Sequence, residues 1–248
     1  MNQQALQTYL LALADDELIL AHRNSEWIGH APILEEDIAI ANIAQDELGH
    51  ATLWYDLYCH FTGDDPDQLV FQRNAAGYRN AQLVELPKGD WAFTILRQYL
   101  FDVFEVCLLA GLMESAYQPL AETAVKIRNE ELYHHRHTHS WVERLGLGTA
   151  ESHGRMQSAL NQLWPFAHQL FIPLPDEADL VTEGIVSKRT AVAEQWQAIV
   201  IPHLTDSGLV IPPRKAPPTR DRADHTPHLD ALLADLQQVT RQHPEAAW

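Results

Sequence analysis

Two segments constrain this chain more than any others: Asp46-Glu47-Leu48-Gly49-His50 and Glu130-Glu131-Leu132-Tyr133-His134. Each holds a glutamate three residues before a histidine. On a helix, residues i and i+3 share a face, so each segment presents a carboxylate and an imidazole side by side, one turn apart. A single Glu-x-x-His arises often by chance. Here there are two, and each follows a helical stretch with an acid of its own, Glu17 before the first and Glu105 before the second. Two such sets match the ligand plan of a four-helix bundle that holds two metal ions through shared carboxylates.

The spacing fits that plan. The midpoint of Glu17 and Glu47 is Pro32, since (17 + 47)/2 = 32. The midpoint of Glu105 and Glu131 is Gln118, next to Pro119, since (105 + 131)/2 = 118. A helical hairpin turning at its midpoint sets such residues at one height on antiparallel neighbours, roughly 20 Å from the turn at about 1.5 Å per residue. The scheme repeats with an offset of 88 residues for the first acids (105 − 17) and 84 for the motifs (131 − 47).

Apolar periodicity supplies the helices. Leu6, Leu10, Leu13, Leu20 and Ala21 predict a helix over about 4–27, with Glu17 inside the stripe. Pro32 and the acids Glu35, Glu36 and Asp37 suit the start of a second helix, which runs to about Phe61 with Ile40, Ile43, Glu47, His50 and Trp54 on one face. After a loop over 62–67, a short helix is expected near 68–75 and irregular chain to residue 89. Asp90 reads as the cap of a third helix reaching about Tyr117, with Phe101, Glu105, Leu108 and Leu112 on one face. The fourth helix, about 119–145, aligns Leu120, Ile127, Glu131, His134 and Trp141, and Gly146 and Gly148 are read as its terminators. Further helices are expected at about 151–171, 187–203 and 228–241. The fold class is therefore all-α: a four-helix bundle over about 4–145, then additional helices and a proline-rich arm over about 150–248, all in one domain of residues 1–248.

The six proposed metal ligands are Glu17, Glu47, His50, Glu105, Glu131 and His134. Four carboxylates offset the charge of two metal ions, and one imidazole serves each. Asp102, one turn before Glu105, competes for the third-helix position. Asp46 and Glu130 each lie four residues before a motif histidine, where they could orient its ring. His135, His137 and His139 are read as surface residues. Iron suits these hard donors, and manganese meets the same demand. Cys59 and Cys107 fall in apolar helical segments and are read as buried free thiols in a reducing compartment, which leaves no thiolate site.

The formal charge of −17 argues against nucleic acid and against an anionic membrane as partners. No basic-then-apolar leader opens the sequence and no apolar run nears the ~18 residues of a membrane span, so a cytoplasmic protein is expected. One basic cluster, Arg214, Lys215, Arg220 and Arg222, lies among the prolines of residues 208–227. It reads as a solvated arm, or as a contact for an anionic ligand of the nucleotide-phosphate kind or for an acidic partner.

Several further stretches carry a family resemblance. They are Glu26-Trp27-Ile28-Gly29-His30-Ala31-Pro32, Ala39-Ile40-Ala41-Asn42-Ile43, Arg97-Gln98-Tyr99, Leu112-Met113-Glu114-Ser115, Trp141-Val142-Glu143-Arg144-Leu145-Gly146, and His225-Thr226-Pro227-His228-Leu229 ahead of the terminal Trp248. Along nearly its whole length the chain resembles the ring-epoxidising phenylacetyl-CoA oxygenases, specifically their PaaC-type subunits. The resemblance implies a ferritin-like fold and a cytoplasmic complex that epoxidises the aromatic ring of phenylacetyl-CoA in phenylacetate catabolism. It implies as partners a catalytic PaaA-type subunit, a small third subunit and a separate reductase that supplies electrons. PaaC-type chains are regarded as structural, with an eroded metal site. This sequence departs from that pattern by keeping a full candidate ligand set. A metal-free scaffold with a buried polar core is the alternative role, and a ferritin-like ferroxidase is the second.

Overall fold

The computed structural model describes residues 1–213, 215–243 and Ala246. Arg214 of the basic cluster and the terminal Trp248 lie outside the described residues. Among the described residues there are eleven α-helices and two short 3-10 turns, with no strand. None of these helices is long and apolar enough to cross a membrane. The chain forms two compact units. The first combines Leu6–Pro87 with the described part of Asp221–Trp248, and the second combines Met1–Ala5 with Lys88–Arg220. Each is built on one long helical hairpin, the component from which a ferritin-like fold is made.

In the first unit the hairpin is α1 (Gln3–Ser25, in this unit from Leu6) and α2 (Leu34–Thr62). Its turn spans residues 26–33, which contains the expected Pro32. Gly29 takes a left-handed φ of 81°, and its N–H donates to Asp37 Oδ1 at 2.7 Å. Glu35, Glu36 and Asp37 fill the first turn of α2, at the positive end of its dipole. α2 stops at Gly63, whose φ of 74° lets its N–H reach the Cys59 carbonyl at 2.7 Å.

The segment expected to hold one helix near 68–75 is more structured. It contains α3 (Pro66–Phe71), a 3-10 turn (Ala75–Gly77) and α4 (Gln82–Glu85). Two adjacent α1 carboxylates organise it. Asp15 accepts from the Tyr55 hydroxyl at 2.5 Å, from both Arg73 guanidinium nitrogens and from the Arg79 N–H at 2.7 Å. Asp16 accepts from the Ala81 N–H at 2.6 Å and from Arg222 at 2.7 Å.

Arg222 corrects the reading of a solvated arm. It is 6 % exposed and paired with Asp16, so the C-terminal segment is clasped to its own unit. The His225-Thr226-Pro227-His228-Leu229 motif has the same structural sense. His225 Nδ1 sits 2.8 Å from Glu85 Oε2, and the Thr226 N–H donates to the same carboxylate. Thr226 caps α10 (Pro227–Leu236), Pro227 opens it, and Leu229 is fully buried. A last helix, α11 (Gln238–Gln242), follows directly, so the single helix expected over 228–241 is broken near Gln237. That side chain turns back to the Val70 and Arg73 carbonyls at 2.8 and 2.9 Å.

In the second unit the hairpin is α5 (Trp91–Leu112) and α6 (Gln118–Gly146). Asp90 caps α5 as expected, accepting from the Phe93 N–H at 2.9 Å. α5 ends five residues before the expected Tyr117, because Met113–Tyr117 form the turn. α5 is buried on nearly every side, beneath α6, α7 (Ala150–Ala167) and α9 (Arg189–Asp206). The expected helix to residue 171 ends at Ala167, two residues after Pro165, and continues as the 3-10 turn His168–Phe171. α8 (Glu177–Thr182) precedes α9. Gly146 does not act as a left-handed terminator. It is the last residue of α6, and an added Cβ would lie 2.3 Å from the Ser207 carbonyl oxygen, so close approach of chain to chain is what demands glycine.

Candidate metal centre

In the first unit α1 supplies Glu17, and α2 supplies Glu47 and His50 one turn apart. All three are 0–1 % exposed. Glu17 Oε1 lies 3.7 Å from His50 Nδ1, beyond hydrogen-bond length for that pair. Asp46, four residues before His50, is half-buried.

In the second unit α5 supplies Glu105 and Asp102, and α6 supplies Glu131 and His134. All four are again 0–1 % exposed. His134 Nδ1 is 3.0 Å from Glu131 Oε1. Asp102 and His134 bring ligand-capable atoms within 4.8 Å of each other. The Asp102 carboxylate is held by two donors, Gln98 Nε2 at 2.7 Å and Thr138 Oγ1 at 2.6 Å. Glu130 is exposed.

The hairpin register agrees with the sequence arithmetic. Trp91 meets Trp141 edge to face at 5.9 Å, and Asp102 meets Thr138. Those pairs have midpoints of 116 and 120, which bracket the expected 118. The same register sets Asp102 opposite His134 ((102 + 134)/2 = 118) and Glu105 opposite Glu131. Asp102 and Glu105 therefore occupy successive levels of one face and need not exclude each other.

The donor set fits a metal ion. Two donors each about 2.1 Å from a shared ion lie about 3.0 Å apart at a right angle and about 3.6 Å apart at 120°. The Glu17–His50 spacing of 3.7 Å falls near the second value, whereas the 3.0 Å between His134 and Glu131 is a hydrogen-bond distance. Carboxylates taken out of water need compensation by cations or hydrogen bonds. Cysteine offers no alternative ligand: Cys107 is buried and Cys59 half-buried rather than buried, and both thiols are free. Burial pushes each up to about 11, and for Cys59 nearby Asp64, Asp56 and Asp65 add to the effect.

One cluster was not anticipated. His135, His137 and His139, read as surface residues, are all half-buried. The His139 ring stacks on His203 of α9 at 3.5 Å and 12°. The buried Tyr99 hydroxyl and His203 Nδ1 share a hydrogen bond at 2.8 Å. Burial, reinforced by His139 and His135, pushes His203 down to about 4, which keeps the ring neutral. The i, i+4 spacing of His135 and His139 hinted at a shared face, but nothing local pointed to His203 sixty-four residues on.

An all-helical protein whose long helices bury paired Glu-x-x-His motifs with a further carboxylate before each belongs to the carboxylate-and-histidine class of helical proteins. Residues 1–248 match the family model described as phenylacetic acid catabolic protein, and the chain belongs to that family. It is 39 % identical over 250 aligned residues to the C-type subunit of the 1,2-phenylacetyl-CoA epoxidase of Escherichia coli (strain K12), covering 100 % of both chains. It is also 24 % identical over 205 residues to the A-type subunit of that epoxidase, covering 80 % of this chain and 66 % of the relative.

Proposed function

We propose that this chain is the C-type subunit of a multicomponent phenylacetyl-CoA 1,2-epoxidase and that it holds a dinuclear centre, di-iron in its working form. Its partners are an A-type oxygenase subunit, a small third subunit and a separate reductase. Its full-length likeness to a C-type subunit and its partial likeness to an A-type one support that assignment.

The ligands are Glu17, Glu47, His50, Glu105, Glu131 and His134. The observation that carries the metal reading is the Glu17–His50 pair: two buried donors face each other at 3.7 Å, a spacing suited to a shared ion and too long for a bond between them. When bound, the iron pair supplies electrons to dioxygen. The four carboxylates offset most of its charge, and the two imidazoles each give one neutral nitrogen. Gln98 and Thr138 fix Asp102 beside His134, and Asp46 and Glu130 lie one turn before the motif histidines, where they would orient the rings. The apolar sides of α5, with Phe101, Phe104 and Leu108 buried, exclude water.

The second reading, a metal-free scaffold, is favoured by one observation: Asp102, Thr138, Gln98, Glu131 and His134 form a hydrogen-bonded group that needs no ion. Reconstitution separates the readings. With the A-type and third subunits and the reductase, the wild-type chain supports phenylacetyl-CoA epoxidation and Glu47→Ala abolishes it. Full turnover with Glu47→Ala would assign the chain to scaffolding. Iron oxidation without partners, and no epoxidation with them, would assign it to a ferroxidase.

A further inference from the structure

The second unit holds a histidine-lined cavity that the dinuclear centre leaves unused. It measures about 360 Å3 and is lined from α6 and α9. α6 brings His139 and Glu143 to it, four residues apart. α9 and its C-cap bring His203, Asp206 and Ser207, the last two being three and four residues after the histidine. Those spacings set each group on one helix face. Ile199 and Pro202 complete the wall.

The polar groups of this cavity are unspent. Glu143 and Asp206 are exposed, and among the described residues neither carboxylate makes an ion pair or a hydrogen bond. Ser207 is 0 % exposed, and its hydroxyl oxygen has no hydrogen-bond partner among the described residues. The same holds for the buried Nε2 of His203. A buried polar atom left unbonded is costly, so two at one cavity point to a ligand. The His203 ring is fixed from its other side, where Nδ1 shares the 2.8 Å hydrogen bond with Tyr99. A metal-bound imidazole is held in this way, with one nitrogen on the ion and the other on a fixed polar group. The His139 ring lies over that of His203 at 3.5 Å, so the two imidazoles are presented together. Two neutral imidazoles and two carboxylates carry two negative charges, which match a divalent ion. The imidazoles select late first-row metals over magnesium and calcium, which take oxygen donors. Closure on an ion takes rotation of the exposed Glu143 and Asp206 side chains and a tilt of the His139 ring off the stack.

We propose that His139, Glu143, His203 and Asp206 bind a divalent late transition-metal ion of the zinc class, which ties α9 to α6, with the Ser207 hydroxyl beside it. Tyr99 is a positioning residue, holding the His203 ring. The proposal stands apart from the iron reading, since it uses none of the six ligands assigned to the dinuclear centre.

Zinc titrated into the iron-treated full-length chain tests it, read by calorimetry and by melting temperature. The wild-type chain takes up zinc and its melting temperature rises, because an ion that binds only the folded state stabilises that state. His139→Ala/Glu143→Gln weakens zinc binding on the order of tenfold or more and removes the rise. Glu143→Gln alone, at an exposed position where folding is not at stake, weakens it by a smaller factor. Tyr99→Phe also weakens zinc binding but leaves its stoichiometry unchanged. Magnesium gives neither heat nor a rise. Unchanged zinc affinity in the double variant or in Glu143→Gln overturns the proposal. So does magnesium binding as tightly as zinc, since the imidazoles would then not be ligands. Iron content is measured on the same samples and is equal in wild type and variants. Iron lost together with zinc in the double variant would trace the zinc to the dinuclear centre and overturn the proposal as well. Zinc uptake that depends on His139 and Glu143 in a chain that holds no iron upholds this inference and sinks the di-iron reading alone.

Discussion

The two hairpins carry the same motif and use it differently. In α1–α2 the imidazole of His50 faces a glutamate from the neighbouring helix at 3.7 Å. In α5–α6 the imidazole of His134 meets the glutamate of its own motif at 3.0 Å, with Asp102 nearby and bonded to Gln98 and Thr138. The first half-set is arranged as facing donors. The second is arranged as a hydrogen-bonded network that also offers donors. A repeated sequence motif thus fixes which groups share a face, and the residues one turn away, here Gln98 and Thr138 beside Asp102, set what else bonds to that face.

The largest expected effects come from breaking the first half-set. Glu47→Ala or His50→Ala lowers bound metal from about two ions per chain to near zero, since a dinuclear centre loses a shared ligand, as elemental analysis would show. Retention of both ions in either variant would remove α2 from the site.

The clasp on the first unit comes next. Arg222→Ala leaves the buried Asp16 carboxylate without its cation and costs about 3–5 kcal/mol in a denaturant titration. It also loosens the residue next to Glu17, so metal affinity falls with it. A loss under about 1 kcal/mol would mean that the clasp is ornamental to both.

A smaller effect distinguishes the halves directly. In metal-free protein Asp102→Ala removes an acceptor from Gln98 and from the Thr138 hydroxyl, which keeps the His134 carbonyl at 3.1 Å, and costs about 1–3 kcal/mol, whereas the isosteric Glu17→Gln costs less. Equal losses in chemical denaturation would erase the contrast between the two hairpins.

The smallest is a pH effect in the second unit. His203 is held at about 4 when folded against 6.5 as its ordinary value, so folding favours its neutral form. Its contribution is fully present above pH 6.5 and is lost as pH falls from 6.5 through about 4. His203→Asn flattens the stability profile in that window. An unchanged slope would place the acid sensitivity elsewhere.

The helices and the height of the candidate ligands were legible because both follow local period. Trp91–Trp141 and Asp102–Thr138 show that the midpoint of 118 was close. What was hidden depended on distant partners. Asp15 and Asp16 look like ordinary polar neighbours of Glu17 until Arg73, Arg79 and Arg222 are folded against them. Arg222 and Arg220 sit in one basic cluster, and composition gives no sign that one turns inward to Asp16 while the other stays exposed. The choice between Asp102 and Glu105 stayed open for a physical reason: one turn of α5 puts both on the same buried face.

The most direct test of the account is the metal content of full-length protein from iron-replete cells, read with its absorption spectrum in air. The account predicts about two irons per chain, lost in the Glu47→Ala and His134→Ala variants. A folded, stable protein with no bound metal would contradict it and would leave the buried acids and histidines as the polar core of a scaffold.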